Sequence, residues 1–168
     1  HQRIAYSFIA GDMFTIVLAD SGKIHWDWGT PWETPKPDQK SITTLIRNLN
    51  AWRKGAGRPF VCFGRMVKPY VIEGARDIPM VLKINGRHRF PSLLTSRWLS
   101  PQGREAQIVV NYTTEKQDFR ITGLNPKQNM VSIYEEPDDD RTKTVPVKGG
   151  KIALSISPLS AIMVEFGD

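Results

Sequence analysis

From Glu105 onward the chain is a succession of short runs in which apolar and polar residues alternate, each cut by a turn. Alternation with period two puts successive side chains on opposite faces of a strand, so runs of this kind build antiparallel sheets with one face buried. Candidate strands are 60–66, 78–84, 93–99, 105–112, 118–121, 130–134, 142–147, 151–156 and 161–166. Turn chemistry separates them at Asn85-Gly86, Pro101-Gln102-Gly103, Asn125-Pro126, Gly149-Gly150 and Ser157-Pro158. No helical period falls between these runs, which predicts an antiparallel β-sandwich and argues against βαβ units.

The chain before residue 58 reads differently. Residues 3–19 are apolar with one break at Gly11-Asp12, and periodicity does not separate helix from buried strand there. The Pro-rich stretch from Gly29 to Pro37 is a loop. After Asp38, a candidate N-cap, Ile42, Leu45, Ile46, Leu49 and Trp52 recur at three- and four-residue spacing, with Arg47, Asn48, Asn50 and Arg53 opposite them. This is an amphipathic helix ending near Gly55 or Gly57, either of which suits a left-handed cap, with Lys54 favourably placed in the last turn. The fold class expected is therefore mainly β: an N-terminal segment with one amphipathic helix over 1–57, then an antiparallel β-sandwich over 58–168. If the helix docks on the sandwich its apolar face is buried; if not, it is an exposed patch that promotes association.

Composition narrows the function. A chain of 168 residues with 40% hydrophobic residues and five Trp carries enough apolar material for a packed core. Net charge is +6, and residues 58–100 hold eight Lys and Arg against two acidic residues. Those cations stand singly within apolar sequence, so no nucleic-acid footprint is present. No apolar run approaches the roughly 18 residues that span a membrane, so no membrane partner is expected. Cys62 is the lone cysteine, which leaves the compartment open, excludes an internal disulfide, and reads as a small buried hydrophobe in a strand. The start at His1-Gln2-Arg3, without Met or leader, reads as a trimmed or excised beginning.

The sequence Asn48-Leu49-Asn50-Ala51-Trp52-Arg53-Lys54, followed by Gly64-Arg65-Met66 and Pro69, resembles the last barrel helix and first β-domain strand of bacterial glycoside hydrolase-like proteins. Residues 98–104 and then Ile108-Val109-Val110-Asn111-Tyr112-Thr113 are similar to their β-domain hairpin, whose strand ends in Asn before a surface turn. Val145-Pro146-Val147, Leu154 and Pro158-Leu159-Ser160-Ala161 are similar to the closing strands. The resemblance covers about two thirds of the chain and implies the tail of a (β/α)8 barrel followed by a non-catalytic C-terminal β-domain. It implies a catalytic barrel in the parent chain as partner, a polysaccharide as its substrate, no cofactor, and a secreted, periplasmic or cell-surface setting. The parent would be a glycoside hydrolase; this piece would not turn substrate over by itself, because the strands that carry such enzymes' catalytic carboxylates lie outside it.

Chemistry-bearing residues are few. Glycoside hydrolysis needs two carboxyl groups facing each other across the bond, about 5–9.5 Å apart depending on stereochemistry. Only Asp20, Asp27 and Glu33 sit beside a candidate barrel loop, and a turn role explains each without catalysis. Asp27 stands between Trp26 and Trp28, where water exclusion would raise its pKa. Trp26, Trp28 and Trp32 fit two uses: packing the barrel end against the sandwich, the commoner one, or stacking on sugar rings. Asp138-Asp139-Asp140 lacks the Gly and spaced Glu of a calcium loop and reads as a solvated turn. His1, His25 and His88 are too scattered for a metal site, so no metal is expected. Two alternatives stay open: a carbohydrate-binding module using the Trp platform, and an interaction domain meeting an acidic partner through the basic stretch 58–97, with steep salt dependence.

Overall fold

A computed structural model describes residues 1–14, 20–22, 38–82, 86–138 and 142–167, with 80–82 by backbone only. Among the described residues three helices come first: α1 (Gln2–Ile9), α2 (Gln39–Lys54) and α3 (Arg58–Val61). Eleven strands follow among the described residues: β1 (Arg65–Val67), β2 (Val71–Glu73), β3 (Asp77–Leu82), β4 (Gly86–Pro91), β5 (Leu93–Leu99), β6 (Glu105–Asn111), β7 (Gln117–Thr122), β8 (Met130–Tyr134), β9 (Thr142–Pro146), β10 (Lys151–Ile156) and β11 (Ser160–Phe166). They form a six-stranded sheet in the order β1-β5-β6-β11-β8-β9, a three-stranded sheet β10-β7-β2, and the separate hairpin β3-β4. All pairings are antiparallel. The fold is mainly β, consistent with the sandwich expected from the alternation.

Helix α2 forms where its period places it. The Asp38 carboxylate accepts from the backbone N–H groups of Lys40 and Ser41, satisfying donors that the first turn leaves open. These hydrogen bonds, first among them those of Ser41, hold the Asp38 pKa below its ordinary value. Ile42, Leu45, Leu49 and Trp52 are buried on one face. Of these, Leu45, Leu49 and Trp52 pack with Ala5 and Phe8 of α1 and Phe60 and Val61 of α3 against Ala106, Ile108 and Val110 of β6 and Ala161 and Met163 of β11. At roughly 1.5–3 kcal/mol for each large side chain taken from water, this contact fastens the helices to the sheet, while Ile46, on the margin of the apolar face, is half-buried.

The opposite face of the same sheet meets the three-stranded sheet. Val109, Ile162 and Val164 alternate with the helix-facing residues and pack with Phe119, Ile121, Ile152 and Ile156. The central strands are thus covered on both sides. Two buried polar side chains are satisfied there: the Gln107 amide exchanges hydrogen bonds with the backbone of Tyr70, at 2.8 and 3.1 Å. Asn111 donates to the carbonyls of Glu115 (2.7 Å) and Ser157 (3.0 Å) and accepts from Thr113 N–H, pinning the β6–β7 loop to the β10–β11 turn.

Several expectations change. Residues 60–66 do not form one strand: Gly57 and Pro59 start the short helix α3, because proline fits a first helical turn, and β1 begins only at Arg65. Gly55 ends α2 with φ −100, not in the left-handed region. Glycine is needed there because a Cβ would lie 2.0 Å from the Pro137 carbonyl oxygen. Strand β2 is three residues long, too short to show a period, and β4 reads Gly-Arg-His-Arg-Phe-Pro, too polar for the alternation rule. The apolar stretch at the start resolves to helix over α1, while 15–19 lie outside the described residues. Gly149 and Gly150, at φ +57 and +68, make the two-residue turn between β9 and β10; both central residues need positive φ in a type I′ turn.

Candidate functional site

The sequence-selected platform, Trp26, Asp27, Trp28 and Trp32, lies outside the described residues, as do Glu33, His25, Asp139 and Asp140. Asp20 is exposed in a turn. His1 bonds Ser41 Oγ at 2.9 Å, whereas His88 sits on the β3-β4 hairpin with its ring 6.2 Å from Phe90. Among the described residues no group of three His, Cys, Asp or Glu is placed to hold a metal ion. Cys62 is exposed, not buried. It follows α3 in a turn, so the in-and-out alternation that would have buried it does not apply. No helix among the described residues is long and apolar enough to cross a membrane.

Four of the seven described cations in the basic stretch, Arg58, Arg76, Arg89 and Arg97, are engaged within the chain. Arg97 stacks 4.2 Å from the Tyr70 ring and pairs with Glu105 at 3.4 Å. Arg76 pairs with Glu115, and Arg89 lies 3.6 Å from Asp77. Arg58 covers the exposed Phe63 ring at 5.4 Å. The carboxylates are the other halves of such pairs. Arg104 grips Glu165 with two N–H donors while the Tyr134 hydroxyl donates to the same carboxylate at 2.9 Å. Glu135 pairs with Lys143 at 2.6 Å, Thr122 donates to Glu73 at 3.1 Å, and Ser155 donates to Asp118.

Two of the surface depressions gather polar side chains from several elements. One, of about 540 Å³, lies at the base of the hairpin between α1 and the β6–β7 loop, lined by His1, Arg76, Asp77, Ile78, Tyr112 and Thr113 among others. The Tyr112 hydroxyl donates to the Pro91 carbonyl at 2.6 Å. Its pKa is raised, by burial first and by the Asp77 charge second, so the phenol is a fixed neutral donor that holds the hairpin down. The second is a cleft of about 580 Å³ bounded by Asn48 and Trp52 of α2, Lys116, Glu135 and Glu136, and Ser155, Ser157 and Ser160. Asn48 reaches across its floor to the Leu159 carbonyl at 2.8 Å. Leu159 sits at φ +50, a backbone turn that brings the start of β11 against the helix. Sequence reasoning took 135–140 as a solvated loop and did not find this cleft. Its parts come from four separate stretches, and the one local signal was three serines in six residues, Ser155, Ser157 and Ser160, spanning the β10–β11 turn.

No family model matches the chain, and no curated protein matches it. Solved glycoside hydrolases are similar to part of it. A GH30 endoxylanase from Clostridium papyrosolvens C71 is 15% identical with a TM-score of 0.36, over 46% of this chain and 20% of that one. A family 44 xyloglucanase from Paenibacillus polymyxa is 8% identical, TM-score 0.35, over 49% and 19%. A GH51 arabinofuranosidase from Xanthomonas axonopodis pv. citri is 12% identical, TM-score 0.36, over 48% and 20%. The chain spans about a fifth of the length of these proteins. Likeness this distant transfers no residue role and no activity.

Proposed function

We propose that this chain is a non-catalytic accessory β-sandwich of a carbohydrate-active, glycoside hydrolase-like enzyme, in which residues 1–57 end a catalytic barrel and 58–168 stabilise or flank it. The observation that carries this reading is how the described carboxylates are used. Glu165, Glu105, Glu115, Glu135 and Asp77 each face a cation in a pair that fastens neighbouring elements. Glycoside hydrolysis requires two carboxyls on opposite sides of a bond. The cleft beside α2 is lined by Glu135 and Glu136, which are adjacent in sequence, and Glu135 is paired to Lys143. The sequence likeness to glycosidase β-domains supports the same assignment, and within it Trp26, Asp27, Trp28 and Trp32 are the residues we assign to sugar contact.

Purified chain incubated with a panel of polysaccharides should release no reducing ends. Release that disappears in Asp27→Asn would overturn the reading. The coding sequence upstream of His1 should contain further β-α repeats, and a reading frame that begins at that point would count equally against it.

A further inference from the structure

The stretch from Gln39 to Ile72 carries seven Lys and Arg and no Asp or Glu. Three of these cations, Lys40, Arg47 and Lys54, stand seven residues apart on α2, so they recur roughly every 10.5 Å along its axis. At 3.6 residues per turn they share one face, opposite the buried Ile42, Leu45, Leu49 and Trp52, with Thr43 and Asn50 between them. All three cations and Thr43 are exposed, and Asn50 is half-buried. None of the three forms an ion pair among the described residues, whereas Arg76, Arg89, Arg97 and Arg104 each hold a carboxylate.

Helix stability does not ask for this arrangement. The first turn of α2 holds no acidic residue and does hold Lys40, although the positive end of the helix dipole favours anions there. Without Asp or Glu, α2 also forgoes the opposite-charge pairs four residues apart that steady surface helices. A stripe of one sign gives up both gains, which marks a surface kept for a partner. Its charge selects a polyanion, and its other features select among polyanions. A membrane or a docking helix needs large apolar side chains beside the cations, and the line from Lys40 to Lys54 has none. Duplex DNA carries a charge for about every 1.7 Å of axis, far denser than cations two helical turns apart. A uronate polysaccharide carries one carboxylate on each ring, with hydroxyls between. Thr43, whose hydroxyl already donates to the Gln39 carbonyl, offers those hydroxyls an acceptor, and the Asn50 amide offers both a donor and an acceptor.

We infer that the outer face of α2 binds an extended polyuronate, with Lys40, Arg47 and Lys54 each facing a carboxylate of the polymer. This contact holds the polysaccharide and breaks no bond. The choice of a polysaccharide among sparse polyanions rests on the accessory reading; the charged stripe itself does not.

Calorimetric titration of the full chain with polygalacturonate at about 50 mM salt should show saturable binding that weakens as salt rises to about 500 mM, because exposed charges are screened. The triple variant Lys40→Gln, Arg47→Gln and Lys54→Gln, which keeps helix propensity, should weaken binding about tenfold or more, and each single change about two- to fivefold. A second triple, Lys127→Gln, Lys148→Gln and Lys151→Gln, removes equal charge from exposed positions elsewhere and should leave affinity within about twofold. Absence of saturable binding overturns the inference. Equal loss in the two triples also overturns it, since binding would then belong to net charge alone. So does equal affinity for the fully methyl-esterified polymer, which keeps the hydroxyls and lacks the charges. Tighter binding of duplex DNA or of phosphatidylglycerol vesicles, lost in the first triple, would overturn it in favour of those partners. The accessory reading fails on released reducing ends, a different measurement, so the two failures are told apart.

Discussion

The six-stranded sheet has one face covered by helices and the other by a second sheet, and the two interfaces are built by alternate residues of the same strands. Ala106, Ile108 and Val110 serve the helices; Val109 serves the sandwich. The helical face joins long-range partners through a few large side chains, Trp52, Phe8 and Phe60, whereas the sandwich face uses medium β-branched residues in register. Because β6 and β11 belong to both, neither core can be lost without exposing the other side of the same strands. The N-terminal helices are therefore part of what makes the sheet stable.

The largest effects should test that shared ownership. Trp52→Ala on the helical face should cost about 3–5 kcal/mol, and Ile121→Ala on the sandwich face about 2–5 kcal/mol. Urea unfolding followed by far-UV and tryptophan signals should show a single transition moved to lower denaturant in both variants. Two separated transitions would mean that the faces unfold independently. Gly55→Ala comes next, at about 1–3 kcal/mol, because a Cβ would press on the Pro137 carbonyl and push α2 from the loop after β8. Asn48→Ala should remove about 1 kcal/mol, the bond to Leu159 that ties α2 to β11, and hydrogen exchange should quicken first at the β10–β11 turn.

The smallest effect is a pH dependence confined to the helical face. The Asp38 pKa is depressed in the folded chain, so its contribution is fully present above the ordinary value of 3.8 and is lost as pH falls through the lower folded value. Asp38→Asn keeps a capping side chain and should flatten the acid limb of stability below about pH 4, whereas Asp38→Ala should lower the unfolding midpoint at neutral pH. An unchanged acid limb in Asp38→Asn would assign that limb to other carboxylates.

Strands and helix α2 were legible because their periods are local. Strands β5, β8 and β10 fall where alternation and turn residues put them. The two-sided burial was legible too, in principle: Ile108-Val109-Val110 and Ile162-Met163-Val164 are continuous apolar runs, the mark of a strand covered on both faces. What stayed hidden was non-local. The conformation of Gly55 is set by Pro137, some eighty positions away, and the cleft depends on where β8 leaves β11, a choice made by backbone pairing and not by side-chain pattern. Cys62 was misplaced for a related reason: Pro59 starts a helical turn where the neighbouring apolar residues suggested a strand.

The position of β11 between β6 and β8 bears on how the molecule is assembled. During synthesis, β1, β5 and β6 can zip together as they emerge, and β8 can pair with β9, but these two groups have no common neighbour until Ser160–Phe166 is made. Until then each group presents a bare apolar border, the kind of border that recruits strands from other polypeptides. A ribosome stalled before residue 160 would hold an aggregation-prone nascent chain, and a peptide copying Ser160–Phe166, supplied in trans, should rescue its solubility.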